Sequence, residues 1–508
     1  MKLITSAAYV SHGLASEMGK LPPCMLPVQN RRLYEHQCQL LNGVSEGDTY
    51  LSLPMHFQLS EYDENYLQSH HITPVRVPEG LSLGQSVVYV LNCVGRYDEP
   101  LYLLHGDTLF LQLMAEKDIF SVAQADDYYD WASVDDKDVY SGYFTFSNQS
   151  LLIKKIVENG YNFIHGIEAY QKEQAMKAVQ LEGWLDFGLS NSYYRSISKM
   201  TTPRSFNSIR VSKYGVRKSS KDLKKMQAEA HWFENVPNNM KHYVPALYDR
   251  GDDFYEIEYF FLPSLANLFV FGRNTVQTWK YIIEACVEYI DDEARIKPEE
   301  SAKIASINDK LYGDKTIERL SLFSKQSGIS VDKCWTINGH KTPSLLEIAK
   351  EMDAFISKSD ERFASIMHGD TCFSNILYDF RSKTIKVIDP RGIDLEGNMS
   401  VYGDFRYDVA KLAHSVLGMY DFIVGNRYTL EKKSEYDLSF SFERNEVIEQ
   451  VQAWFKQQTF SGYSLVELST YPIMVHLFLS MIPLHSDCPK RQIAFLANAL
   501  RLYYESNH

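Results

Sequence analysis

Three oxygen-bearing side chains stand at a spacing that suits metal-assisted phosphoryl transfer. Residues 365–377 read SIMHGDTCFSNIL, and residues 387–391 read VIDPR. Asn375 follows Asp370 by five positions and Asp389 follows it by nineteen. Phosphoryl transfer asks little covalent chemistry of a protein. One carboxylate orients or accepts the proton of the attacking hydroxyl, and oxygen ligands hold one or two Mg²⁺ that bridge the phosphates. Asp370 fits the first task; Asn375 and Asp389 fit the second. Apolar residues flank each motif, so the polar groups fall on a loop and at a strand end.

Those groups must be positioned by the elements around them. After Thr201-Thr202-Pro203, which reads as a linker, residues 208–218 are β-rich. Residues 222–233 form a helical pattern with regular charges, and residues 252–261 form another strand. From about Pro263 the chain reads as mainly helical, interrupted at 365–390, and the last hundred residues read as three or four helices. The first 200 residues alternate instead. Strands are expected at 3–10, 50–53, 72–77 and 101–105, with helices at 33–41 and 84–94. Residues 139–200 read strand, helix, strand, helix, strand, helix. This rhythm predicts a mostly parallel sheet with helices on its faces.

Composition excludes several classes. The chain of 508 residues is too long for one ordinary domain, and 45% hydrophobic with 23% charged residues is globular, not disordered. Net charge is −13, and residues 1–200 hold 14 Lys and Arg against 24 Asp and Glu, with acid concentrated at 116–138. No basic stripe appears, so a nucleic acid is not an expected partner. Seven scattered cysteines without a CxxC pair read as reduced thiols, not as a disulfide framework or zinc site. The N-terminal segment lacks a signal-peptide pattern, and no apolar run is long enough to span a membrane. The expected setting is soluble and cytoplasmic, with small-molecule partners. The sequence leaves the oligomeric state open, a homo-oligomer included.

HGDTCFSN followed by VIDPRG resembles the aminoglycoside phosphotransferase and choline kinase superfamily. The resemblance implies a two-lobed, protein-kinase-like (α+β) domain, with its small lobe at 201–262 and its helical lobe at 263–508. Asp370 would be the catalytic acid/base, Asn375 and Asp389 the metal ligands, and His368 a brace of the loop. The small lobe should supply a lysine for the ATP phosphates and a helix glutamate to hold it. Lys218, chosen over Lys213 because it ends an apolar strand, and Glu229 fit those roles. YEIEYF at 255–260 is similar to the adenine-binding hinge and brings in Glu258 and Tyr259. In GDFRYDVAK at 403–411, Asp404 would cap a helix and Asp408 would brace the catalytic loop. Arg391 is expected to face the acceptor pocket.

Residues 1–200 resemble the sugar-phosphate and choline-phosphate nucleotidyltransferases, a Rossmann-like α/β fold. Three stretches carry this: GLASEMGKLPPCMLPV at 13–28, LYLLHGDTLF with Asp107, and GWLDFGLSNSYYRS with Asp186 in a D-x-G turn. A glycine-containing loop with Gly13 and Lys20 would approach a triphosphate. Gly84, Gln85 and Ser86 would contact the nucleotide. Asp107 and Asp186 would hold Mg²⁺ while a phosphate oxygen attacks the α-phosphorus. Ala15, Glu17 and Pro23 depart from the family loop, where a glycine, an arginine and a proline-lysine pair are usual. A carboxylate at Glu17 would repel a triphosphate if it pointed inward; Lys20, Arg31 and Arg32 are the available substitutes.

The two resemblances imply a fusion. ATP would phosphorylate a hydroxyl on an amino alcohol, polyol or sugar. The product would then be joined to a nucleotide from an NTP, CTP favoured, as a precursor for capsule or lipopolysaccharide. Three alternatives remain: a kinase whose first domain binds without catalysing; a pseudoenzyme scaffold in both halves, against which the intact Asp370, Asn375 and Asp389 set argues; and an aminoglycoside-modifying kinase, whose cationic substrates want an acidic pocket.

Overall fold

The computed structural model describes residues 1–124, 131–200, 207–212 and 215–506. The linker 201–203, Lys213 and Tyr214 lie outside the described residues. The chain divides into two compact units: Met1–Met200 with Phe271–Arg273, and Thr201–Val270 with Asn274–His508. The whole is mixed α/β. No helix among the described residues is long and apolar enough to cross a membrane.

The first unit is built on a seven-stranded sheet. Its strands in chain order are β1 (Lys2–Thr5), β2 (Thr49–Pro54), β3 (Ile72–Val77), β4 (Leu101–His105), β5 (Ile119–Gln124), β6 (Asp138–Phe146) and β7 (Lys177–Gln180). They lie in the order β7-β5-β6-β4-β1-β2-β3. Pairings around β1 and at both edges are parallel; only β6 runs antiparallel to its neighbours. Parallel pairing needs crossovers, and helices supply them, among them α1 (His12–Met18) and α2 (Leu83–Val94); α3 (Ser190–Lys199) follows the last strand. Leu3, Leu101, Leu103, Phe144 and Phe146 pack with Val87 and Leu91 of α2 in one apolar core.

One expected strand is a helix start instead. Between β6 and β7 two helices follow each other, Gln149–Glu158 and Phe163–Glu173. Gly160 at φ 65° breaks the first, and the Asn162 side chain accepts from His165 N to cap the second. The first strand is also shorter than residues 3–10: it ends at Thr5, and residues 6–11 form a loop that leads into His12–Met18.

The second unit opens with a four-stranded antiparallel sheet. Its strands are β8 (Asn207–Val211), β9 (Gly215–Ser220), β10 (Leu247–Arg250) and β11 (Phe254–Glu258), in the order β8-β9-β11-β10. Helix α4 (Leu223–Asn235) packs on it, capped by Asp222. Long helices follow, including α5 (Val276–Arg295) and α6 (Gly313–Ser327). The hairpin β12 (Ile376–Asp379) and β13 (Thr384–Val387) comes next, and then α7 (Phe405–Val416). The helical expectation for the C-terminal part is incomplete. Strands Cys334–Ile337 and His340–Ser344 join Thr429–Ser434 and Asp437–Ser441 in a second four-stranded sheet. Thr429–Ser434 reads TLEKKS at an exposed sheet edge, so it lacks the apolar alternation that marks a strand.

Candidate functional site

In the second unit, strand alternation decides where Lys218 goes. In β9 the even-spaced residues turn inward, and Lys218 is buried opposite Tyr255 of β11. Glu229 lies on the buried face of α4. Lys218 Nζ donates to Glu229 Oε2 at 2.7 Å and to Asp389 Oδ1 at 3.0 Å, and the Tyr255 hydroxyl donates to Glu229 at 2.8 Å. Burial alone would lower the Lys218 pKa, but Asp389 and Glu229 reverse that and raise it. The ammonium therefore stays charged.

The loop 368–375 is held by buried acceptors. Asp408 on α7 accepts His368 N at 2.7 Å and Gly369 N at 2.9 Å, and its carbonyl accepts the Thr371 hydroxyl at 2.8 Å. Glu293 on α5 also accepts His368 N, at 3.1 Å. The Trp232 indole N–H donates to Met367 O at 3.0 Å. Burial pushes Asp408 up to about 7, against those same N–H donors, which pull it down. Burial, reinforced by Asp408, raises Glu293 well above the carboxylate range. Gly369 sits at φ 79°, and a Cβ there would lie 2.8 Å from the Arg391 Cβ, so only glycine fits. His368 Nδ1 accepts Asp370 N at 3.2 Å, and burial holds the ring neutral, with a pKa of about 4. The accepting nitrogen fixes the tautomer with its proton on Nε2.

These constraints bring the three oxygen-bearing residues together. Asn375 Nδ2 donates to the Asp370 carbonyl at 2.9 Å and its carboxylate at 3.0 Å. Ile388 N donates to Asn375 O at 3.0 Å, which sets Asp389 beside it just past the end of β13. Asp389 takes the left-handed conformation, φ 58°, a strained choice of the kind found at functional loops. With its amide nitrogen committed to Asp370, Asn375 presents its carbonyl oxygen, and the Asp389 side chain is 43% exposed. Oxygen donors of this kind fit Mg²⁺, which takes one or two protein ligands and completes its shell with phosphates and water. When bound, the ion would neutralise charge on the transferring phosphate. Among the described residues there is no group of three or more His, Cys, Asp and Glu side chains suited to a metal, so these oxygens would need substrate phosphates as partners.

Lys411 was not singled out by the sequence. It pairs with Asp370 at 2.8 Å. Burial would raise the Asp370 pKa, but Lys411, with further help from Arg391, holds the carboxylate well below its usual range. Lys411→Met leaves burial opposed chiefly by His368 and Arg391. The Asp370 carboxyl then protonates at a pH higher by about one unit or more, read from the carboxyl carbon shift in an NMR titration. An unmoved titration would show that Lys411 does not set this ionisation.

Glu258 and Tyr259 stand at the end of β11. Glu258 pairs with Gly215, and its N–H donates to Ala246 O at 2.9 Å. Asp404 caps α7 through Arg406 N and pairs with the Arg406 guanidinium at 2.6 Å.

In the first unit, Asp107 follows β4. The strand pair Thr108–Leu109 and Leu185–Asp186 places Asp186 opposite Thr108. A Cβ on Gly188 would stand 3.2 Å from Asp107 Oδ2 and 3.4 Å from Asp186 Oδ1, so both carboxylates reach one point. The Trp131 indole donates to Asp186 Oδ1 at 2.8 Å. A carboxylate pair fits a hard divalent cation, which would serve there to neutralise phosphate charge.

The expected phosphate loop is helical. In α1, Ala15 N bonds to Ser11 O and Gly19 N to Ala15 O, both at 2.9 Å, so these amides are spent within the helix. Gly13 lies in its first turn, close against Ser190. Glu17 accepts from the Tyr194 hydroxyl. Lys20 is exposed, stands 3.8 Å from Glu79 and lies over the Tyr9 ring. Arg32, one of the expected basic substitutes, is buried, donating to Met25 O at 2.7 Å and lying 3.7 Å from Asp63. At the start of α2, Gly84 packs against the Tyr161 carbonyl. Gln85 closes a capping box with Ser82, and Ser86 is buried.

No family model matches the chain, and no curated protein matches it. Solved structures do. A nucleoside-diphosphate-sugar pyrophosphorylase from Vibrio cholerae is 10% identical over 39% of this chain and 99% of its own, with a TM-score of 0.33. The CTP:phosphocholine cytidylyltransferase of Streptococcus pneumoniae is 14% identical over 39% of this chain and 98% of its own, with a TM-score of 0.31. The gentamicin complex of an aminoglycoside phosphotransferase is 12% identical over 59% of this chain and 90% of its own, with a TM-score of 0.33. Likeness at this level assigns no activity; the geometry has to.

Proposed function

We propose that the chain joins two transferases. The second unit moves the γ-phosphoryl group of ATP to a hydroxyl on a small molecule. The acceptor oxygen bonds to the γ-phosphorus, the bond to the bridging oxygen of ADP breaks, and the hydroxyl proton passes to Asp370. One observation carries this reading: the Lys218–Glu229 pair meets Asp389 at 3.0 Å, while Asn375 binds Asp370 at 3.0 Å. A cation for the phosphates, two oxygen ligands for a metal and a carboxylate for the acceptor thus adjoin one another.

In the first unit, the phosphorylated product would attack the α-phosphorus of CTP or another NTP, and pyrophosphate would leave. The convergence of Asp107 and Asp186 supports this. Precursors for capsule or lipopolysaccharide are the setting such a pair of consecutive steps fits. A second reading, in which the first unit binds without catalysing, is favoured by the coiling of His12–Met18. Asp107→Ala separates the two. On the bifunctional reading it lowers pyrophosphate release from NTP and phospho-acceptor by about 100-fold or more, with ADP formation unchanged. If wild-type protein releases no pyrophosphate with any NTP, the binding-only reading holds.

A further inference from the structure

Cations gather beside Asp370 without anions to match them. The guanidinium of Arg391 lies 4.5 Å from the centre of the Tyr407 ring. Lys315 Nζ lies 5.8 Å from it and Lys411 Nζ 5.9 Å. Arg319, one turn along α6 from Lys315, adds its charge to theirs. Arg391 is tied to the catalytic loop by its own N–H, which donates to His368 O at 2.8 Å. Of the four, only Lys411 has a carboxylate within ion-pair reach, and that carboxylate is Asp370. Among the described residues no Asp or Glu pairs with Lys315, Arg319 or Arg391. All four side chains are half-buried and keep an opening to solvent.

This is a costly arrangement in a chain whose net charge is −13. Its strain shows on both sides. The Tyr407 phenolate would raise Lys315, but burial with Arg391, Lys411 and Arg319 outweighs it and lowers the ammonium's pKa. Burial would raise Tyr407, yet Arg391, Lys315 and Lys411 pull the phenol down to about 7. The cluster recruits a buried tyrosine toward the charge it lacks. Nucleotide phosphates have their own cation in Lys218, on β9, and none of these four belongs to β9 or α4.

We propose that Lys315, Arg319 and Arg391 form the acceptor's anion subsite, so that the hydroxyl compound phosphorylated beside Asp370 carries a phosphate or carboxylate of its own. The inference rests on the phosphotransferase reading and narrows it. It also tells against the aminoglycoside alternative, which wants an acidic pocket: amino alcohols and aminoglycosides would meet like charge. The anionic group makes and breaks no bond; it places the hydroxyl.

The test is ADP formation by the full chain with Mg²⁺ and ATP against paired acceptors. Glycerol 3-phosphate and glucose 6-phosphate form one arm, glycerate and gluconate a second, and glycerol, glucose, choline and kanamycin a third. The expected result is a kcat/KM about 100-fold higher for the best anionic acceptor than for its neutral counterpart, with the first two arms telling phosphate from carboxylate. Lys315→Ala and Arg319→Ala, at half-exposed positions on α6, each raise KM for that acceptor about 10-fold. KM for ATP and the saturated rate stay within about 3-fold. Preference for neutral or cationic acceptors, with ATP still consumed, overturns the subsite and leaves the kinase reading standing. Failure to bind Mg·ATP and to phosphorylate any acceptor overturns both. Nucleotide binding without transfer to any anionic acceptor overturns the subsite as well.

Discussion

Asp370→Asn lowers ATP-dependent phosphotransfer by about 10³-fold while the protein stays folded. The substitution keeps the shape of the side chain and an oxygen for the 3.0 Å bond from Asn375. It removes the group that takes the acceptor's proton, and it removes the charge that Lys411 holds at 2.8 Å. The loop itself hangs on Asp408, Glu293 and the Trp232 indole, so its backbone should not move. Initial rates of ADP formation and a thermal melt check both halves of the statement. A variant with wild-type rates would remove Asp370 from the chemistry.

Lys218→Ala has the second large effect, on stability and on turnover. It leaves Glu229, which is 2% exposed, with the Tyr255 hydroxyl at 2.8 Å and the more distant Lys225 ammonium at 3.8 Å. Breaking one side of a buried ion pair costs about 3–5 kcal/mol, because the remaining charge has no water. In a unit of this size that is a fall in Tm on the order of 10 °C. The same variant loses the cation offered to the phosphates, so kcat/KM for ATP falls about 10–100-fold even where the protein remains folded. The double variant Lys218→Met with Glu229→Gln separates the two effects. It removes both charges and should recover most of the stability without recovering turnover. Full activity in the double variant would show that the pair serves only the fold.

Much of this site could be read from the chain because it is local. Asp370 and Asn375 share one loop, and Asp389 ends the hairpin that follows it. Lys218 and Glu229 were reachable through two periods, the inward alternation of β9 and the buried face of α4. The rest depends on contacts that spacing does not encode. Glu293 sits in EYIDDEAR, where it reads like its solvated neighbours, and only the fold shows that it is buried. Trp232 meets Met367 across 135 positions. Lys411 stands three residues from Asp408 on α7, a weak hint that it shares a face with it. The cations around Tyr407 come from α6, α7 and the segment after β13, and so have no common motif. In the first unit the strands at 72–77 and 101–105 lie where the pattern places them, while the first strand is shorter and one expected strand is a helix start instead. The stretch expected as a phosphate loop coils instead, because GLASEM contains one glycine and otherwise mostly helix-compatible residues.

A crystal structure of the full chain with Mg²⁺ and a non-hydrolysable ATP analogue is the most direct measurement. A metal ligated by the Asn375 carbonyl oxygen and the Asp389 carboxylate is the expected result, with Lys218 Nζ on a nucleotide phosphate and the γ-phosphate facing Asp370. Nucleotide bound elsewhere, or a metal that neither residue touches, would contradict it.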